Sequence, residues 1–246
     1  MMARLRSSLL LAASLCFLVG CGDDNEESQP QTQPGQVNEQ SAKAAARGTV
    51  QASLTAVQDQ NGQGAASQLH SVASTTQGIV TPAAPSGPGT TAQARILEAF
   101  GPGLGTLDGE NCECTETGCT FLDCDWGGST NTMAGTISWE GGHLKCDLTF
   151  KTAGSAFSGD IEMTTSCDLK VTETSIDGTL GTTGKVASIT GADGTAFGSY
   201  EWATTTHFDK VTYDTSKQPT SGSVHVEGTY TIMGQVYSGS ADVTFP

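Results

Sequence analysis

The stretch Ser223–Phe245, "SVHVEGTYTIMGQVYSGSADVTF", alternates apolar and polar residues on both sides of Met233-Gly234. Placing these two residues at the tip of a two-residue turn sets the register of a β-hairpin. The facing pairs are then Tyr230 with Tyr237, Gly228 with Gly239, Val226 with Ala241, and Val224 with Val243. All four pairs share one face, so the stretch predicts an antiparallel hairpin that is packed on one side.

The two glycines of this hairpin fall opposite each other on the packed face. The same apolar-x-Gly-x-apolar unit recurs around Gly135, Gly159 and Gly178. Glycine weakens a strand, but it allows a tight bend or the close approach of another group. We therefore expect a sharp bend or a seated aromatic ring at this height of the sheet.

A second hairpin is predicted in "TMAGTISWEGGHLKCDLTF", Thr132–Phe150. With Gly141-Gly142 as a two-residue turn, Trp139 faces Leu144, Ile137 faces Cys146, Gly135 faces Leu148, and Met133 faces Phe150. A slip by one residue would move half of these side chains to the polar face.

Similar alternating segments fill residues 111–246 and predict a mainly β fold. We expect an antiparallel meander of about nine or ten strands, arranged as a curved sheet, a sandwich or a barrel. Residues 41–80 form a small N-terminal helical segment, in which Ser41 could cap a helix and Val50, Leu54 and Val57 repeat at helical spacing. Residues 81–110 form a Pro/Gly linker with a short helix.

The first 20 residues have the features of an export signal. Arg4 and Arg6 precede the apolar run "SSLLLAASLCFLVG", which is too short to span a bilayer comfortably. It ends in Leu18-Val19-Gly20-Cys21, which resembles the bacterial lipobox at all four positions. The resemblance implies cleavage by signal peptidase II before Cys21, diacylglycerol on its thiol and acylation of its new amine. Residues 21–40 are acidic and rich in Gln and Pro, which predicts a disordered tether.

Six cysteines remain once Cys16 is removed with the signal and Cys21 is lipidated. They are Cys112, Cys114, Cys119, Cys124, Cys146 and Cys167. An even number in an exported domain predicts three disulfides, although six cysteines allow 15 pairings. The short "TETG" between Cys114 and Cys119 favours a bond between those two. A zinc site is the alternative, but the first cysteine pair is closer in sequence than the ligands of most structural zinc sites.

Charge restricts the partners of the mature chain. Loss of two of the 11 basic residues leaves nine against 26 acidic residues, a net charge of −17. Phosphate backbones would repel such a chain, so we expect no nucleic acid partner. The expected location is the bacterial cell envelope, on the outer membrane rather than the inner one, facing the periplasm or the surface.

We find no catalytic signature such as G-x-S-x-G, H-E-x-x-H or a phosphate-binding loop. The sequence therefore predicts no enzyme, cofactor or metal, but a structural or protein-interaction module whose partner is an unknown envelope protein. The alternative is a carrier of an apolar ligand or lipid, because a curved sheet with inward glycines and a separate helix loosely resembles the half-barrel of lipoprotein and lipid carriers.

Overall fold

The computed structural model describes residues 32–81, 111–125, 131–153, 160–188 and 198–245. Helices α1 and α2 span Glu39–Val57 and Gly62–Thr76. The strands are β1 (Thr32–Pro34), β2 (Gln36–Val37), β3 (Val80–Thr81), β4 (Cys112–Cys114), β5 (Gly118–Asp125), β6 (Asn131–Ser138), β7 (His143–Ala153), β8 (Asp160–Val171), β9 (Ser175–Val186), β10 (Tyr200–Tyr213), β11 (Pro219–Ile232) and β12 (Gln235–Phe245).

Ten of these strands form one open sheet, which confirms the predicted mainly β meander. Strands β4 to β12 follow each other in chain order, and every neighbouring pair is antiparallel. Strand β1 adds a parallel edge beside β12, and β2 pairs with β3 in a separate two-stranded sheet. Of the three predicted arrangements, the open sheet is the correct one.

The C-terminal hairpin has the predicted register at every pair, from Val224 with Val243 to Tyr230 with Tyr237. Met233 and Gly234 have φ values of 50° and 77°, as a two-residue turn between strands of normal twist requires. The strand pair β11–β12 is therefore fixed by its own turn residues.

The second predicted hairpin, β6–β7, has the predicted register and the predicted turn. Ile137 pairs with Cys146, and Met133 with Phe150. Gly141 and Gly142 have φ values of 62° and 78°, and His143 donates its backbone N–H to the carbonyl of Glu140, which closes a two-residue turn. The paired ladder ends at Ser138 with Lys145, one position before the predicted pair of Trp139 and Leu144. Trp139 donates its backbone N–H to the carbonyl of Thr117.

The facing glycines of the C-terminal hairpin accommodate aliphatic side chains rather than an aromatic ring. A Cβ at Gly239 would lie 2.7 Å from Val37 Cγ2, and one at Gly228 would lie 3.1 Å from Val80 Cγ2. Both distances are shorter than normal carbon contacts of about 3.5–4.0 Å. The small β2–β3 sheet therefore docks on the glycine pair.

An aromatic ring is seated on another glycine, Gly184 of β9. A Cβ there would overlap the indole of Trp202, the register partner of Gly184 in β10. Gly135 and Gly178 have a third role, because their φ values of 120° and 126° bring them against the carbonyls of the neighbouring strand. Glycines on the inner face therefore serve different purposes at different places.

The two helices form a hairpin that covers the inner face of the sheet. Asn38 and Asn61 cap α1 and α2 by accepting the backbone N–H of Ser41 and Gly64. The cap of α1 is thus Asn38 and not the predicted Ser41. Helix α1 contacts β7 and β8 as well as β11 and β12, so the sheet curves around it.

Ordered structure begins before the predicted helical segment. The sequence predicts a tether up to Gln40, whereas β1, β2 and the start of α1 all lie within residues 32–40. Residue 31 and those before it lie outside the described part of the chain.

Candidate functional site

The six cysteines form three disulfides, Cys112–Cys124, Cys114–Cys119 and Cys146–Cys167. The first two attach the three-residue edge strand β4 to β5. The third joins the register pair of β7 and β8 on the inner face. Three disulfides indicate an oxidising, extracytoplasmic location.

The residues of the expected lipidation site, Leu18, Val19, Gly20 and Cys21, lie outside the described residues. Among the described residues, no group of three or more His, Cys, Asp or Glu side chains is arranged to hold a metal ion.

The outer face of the sheet carries a polar trough across strands β8 to β12. Its floor is one register row of small side chains, made up of Thr164, Thr183, Ala203, Thr229 and Ser238. Two adjoining grooves of about 420 and 500 Å³ share Ala203 and Thr229, so they form one continuous depression. Four strand spacings of about 4.8 Å give this row a length of roughly 19 Å.

Charged residues border the trough. On one side Lys185 Nζ lies 3.5 Å from Glu201 Oε1, and Lys151 Nζ lies 3.8 Å from Glu162 Oε2. On the other side stands Glu227. These side chains are about half exposed, so the ion pairs add little stability and remain free to exchange partners.

The chemistry of the trough is that of hydrogen bonding. Threonine and serine hydroxyls both donate and accept hydrogen bonds. None of the residues lining the two grooves is a histidine or cysteine, the usual general bases and nucleophiles at neutral pH. The arrangement suits the binding of a polar or polypeptide surface.

The inner face is packed against the helical hairpin. Four apolar side chains of this face are at most 1 % exposed, as expected for a solid core: Met133, Ile137, Ile161 and Tyr230. Phe157, in another of the alternating segments, lies outside the described residues. None of the four lines the grooves described above.

One register row of this inner face is polar. Thr165, Thr182 and Thr204 pair in sequence across β8, β9 and β10 and are at most 5 % exposed. Their hydroxyls have no hydrogen-bond partner in the described structure. Buried hydroxyls of this kind need a water or another polar group to satisfy them.

His70 of α2 lies in the same interior. It is fully buried, and its ring meets Phe150 edge to face, with the ring centroids 4.9 Å apart. Burial lowers the pKa of His70 from 6.5 to about 3, so this residue is neutral at physiological pH.

Sequence reasoning found the outer face but not the trough. Alternation placed Lys145, Asp147 and Thr149 of β7 on the polar side of that strand. Only the register between strands shows that Thr183, Ala203 and Thr229 stand side by side as a row of small residues. A comparison of outward positions strand by strand would have found this row once the pairing was known.

No protein-family model, curated protein or solved structure matches this chain. In the described part of the chain, no helix combines the length and apolarity that a membrane-spanning helix needs.

Proposed function

We propose that this chain is a lipid-anchored protein of the bacterial envelope whose folded domain is a non-enzymatic interaction module. The observation that supports an interaction role is the trough, a continuous polar depression on the sheet face opposite the helices. The lipobox at Leu18–Cys21 and the three disulfides support the envelope location.

The trough and its border provide the recognition surface. A partner would exchange hydrogen bonds with the threonine row and ionic contacts with Lys185, Glu201 and Glu227. Burial of a polar surface of this kind costs free energy unless each hydroxyl regains a partner. Binding would therefore be selective for a partner with matching polar groups.

Site-specific photo-crosslinking tests the recognition surface. A photoreactive amino acid replaces Thr229 in the floor of the trough, and a matched control replaces Ser71 on the outer side of α2. Both positions are exposed, so neither change should disturb the fold. We expect a discrete crosslinked product in intact cells from position 229 only. Equal products from both positions, or turnover of a substrate by the purified chain, would overturn the interaction module.

The anchor is tested separately. Cys21→Ser should release the protein from the membrane fraction and remove the lipid from its N-terminal peptide in mass spectrometry. The lipid on Cys21 is the proposed membrane anchor, so its loss should abolish retention almost completely. Retention of the Cys21→Ser protein in the membrane fraction would contradict the lipid anchor without affecting the proposed trough.

A carrier of an apolar ligand is the second candidate. The buried hydroxyls of Thr165, Thr182 and Thr204 are the observation that favours it, because a ligand headgroup could satisfy them. The burial of Met133, Ile137 and Tyr230 favours the interaction module, since these side chains already fill the space that a ligand would need.

A further inference from the structure

Two histidines stand side by side on the outer face, away from the floor of the trough. His207 of β10 and His225 of β11 are direct register partners. Their rings are stacked at an interplanar angle of 27°, with the centroids 6.4 Å apart. His207 is exposed and the His225 side chain is 43 % exposed, so both rings can reach a solute.

Asp242 of β12 orients one of these rings. It is the register partner of His225, and its Oδ1 lies 2.7 Å from His225 Nδ1. A carboxylate can only accept a hydrogen bond, so Nδ1 carries the proton. In the neutral ring the lone pair is then on Nε2, the nitrogen that is available to a metal ion. Carboxylates orient many metal-binding histidines in this manner.

Charge around the pair favours a cation. Asp209 and Glu227 follow the two histidines on the same face of their strands, and Asp242 adds a third carboxylate. The nearest base along β10 is Lys210, next to Asp209 in the sequence. The cross-strand row that contains His207 continues with Thr179 of β9 and Asp168 of β8. Neither of these two side chains is positively charged.

We propose that His207 and His225 bind one transition-metal ion of the Zn²⁺, Ni²⁺ or Cu²⁺ type through their imidazole nitrogens. Asp242 is a positioning residue that fixes the tautomer of His225. Neutral imidazole is the ligand these ions prefer, whereas Mg²⁺ and Ca²⁺ prefer oxygen. Two direct ligands leave the remaining coordination positions to water, so a partner's side chain could complete the site. This site does not depend on the proposed anchor or on the trough.

Isothermal titration with Zn²⁺ alone tests the site. The full-length chain is purified in a non-ionic detergent through an affinity tag without histidine, and metal is removed with a chelator. The variants are His207→Gln, His225→Gln and Asp242→Asn. The control is His143→Gln, because His143 is also exposed but pairs across the sheet with Lys170.

We expect one Zn²⁺ per chain. Loss of either paired histidine should weaken binding at least about tenfold, and Asp242→Asn should weaken it by roughly 10- to 100-fold, as for other carboxylates that orient a metal-binding histidine. The His143→Gln protein should bind as the parent does. Circular dichroism on each variant checks that the fold is retained.

Two results would overturn the site: no saturable Zn²⁺ binding by the parent chain, or unchanged affinity in His207→Gln and His225→Gln. A third readout concerns the role of Asp242. If Asp242 orients His225, Asp242→Glu should restore part of the affinity that Asp242→Asn loses. If Asp242→Asn binds as the parent does, the assigned tautomer is wrong.

Discussion

A double-mutant cycle between Gly239 and Val37 measures whether the small β2–β3 sheet docks on the C-terminal hairpin. A methyl group at Gly239 would lie 2.7 Å from Val37 Cγ2, about 1 Å inside a normal carbon contact. The backbone at Gly239 does not have a positive φ, so alanine can adopt it without strain. Steric overlap with Val37 is therefore the main effect of Gly239→Ala.

Overpacking costs about 1–3 kcal/mol, and the lower entropy of the unfolded alanine chain offsets about 0.4–1 kcal/mol of this. Val37→Ala should cost about 1 kcal/mol, because its side chain is only half-buried. In the double variant the new methyl group occupies the space that Cγ2 has left. Its cost should be below the sum of the single costs by about 1 kcal/mol or more.

Urea denaturation followed by tryptophan fluorescence gives the four free energies of unfolding. Gly181→Ala with Val37→Ala is the matched control. Gly181 lies on the outer face of β9, where a Cβ would meet Ser166 instead, and this pair should be additive. Additive energies for Gly239 and Val37 would mean that Val37 does not fill the glycine gap.

Two further predictions concern buried groups. Because the pKa of His70 falls to about 3 on folding, the unfolded chain binds a proton below pH 6.5 that the native chain does not bind. The stability contributed by neutral His70 is present above pH 6.5 and is lost towards pH 3, at roughly 1.4 kcal/mol per pH unit. In urea titrations between pH 6.5 and 4, the free energy of unfolding of His70→Leu should fall less steeply with decreasing pH than that of the parent, by this slope. Equal pH dependence of the two proteins would contradict the burial of an uncharged ring. Replacing Cys146 and Cys167 together by alanine should cost about 3 kcal/mol, from the loop that their bond closes. Thermal unfolding of the non-reduced proteins measures this cost, and an unchanged Tm would mean that the bond does not form.

The register of both hairpins could be predicted because the necessary information is local. Turn residues such as Met233-Gly234 fix which positions face each other, and alternation fixes the buried side. The same holds at Gly141-Gly142, whose positive φ values form the predicted two-residue turn. The bond from the backbone N–H of Trp139 to the carbonyl of Thr117 was not predictable in this way, because Thr117 lies outside the hairpin.

The role of the facing glycines could not be predicted, for a related reason. Gly228 and Gly239 indicated a gap in the packed face, but the side chains that fill it, Val37 and Val80, come from the other end of the chain. Val37 also belongs to a stretch without apolar periodicity, which was expected to be a tether. Strands as short as β1 and β2 carry no pattern of their own, so only pairing with a partner strand defines them.

The candidate site was predictable only as a face. Alternation along each strand predicted a polar outer face. The trough, however, depends on Ala203 and its neighbours lying in one row across five strands. Likewise, His207 and His225 are separated in the sequence by the β10–β11 turn. Only the register brings them together and adds Asp242.

We interpret the inner face as a filled core and the outer face as the surface at which the protein acts. Extraction of the purified full-length chain with organic solvent, followed by mass spectrometry of the extract, is the decisive test of this interpretation. Covalently attached lipid stays with the protein, so the extract reports only bound ligand. We expect no apolar ligand in stoichiometric amount. About one lipid per chain, lost on replacing Thr182 by valine, would contradict it and identify the buried threonine row as the ligand site.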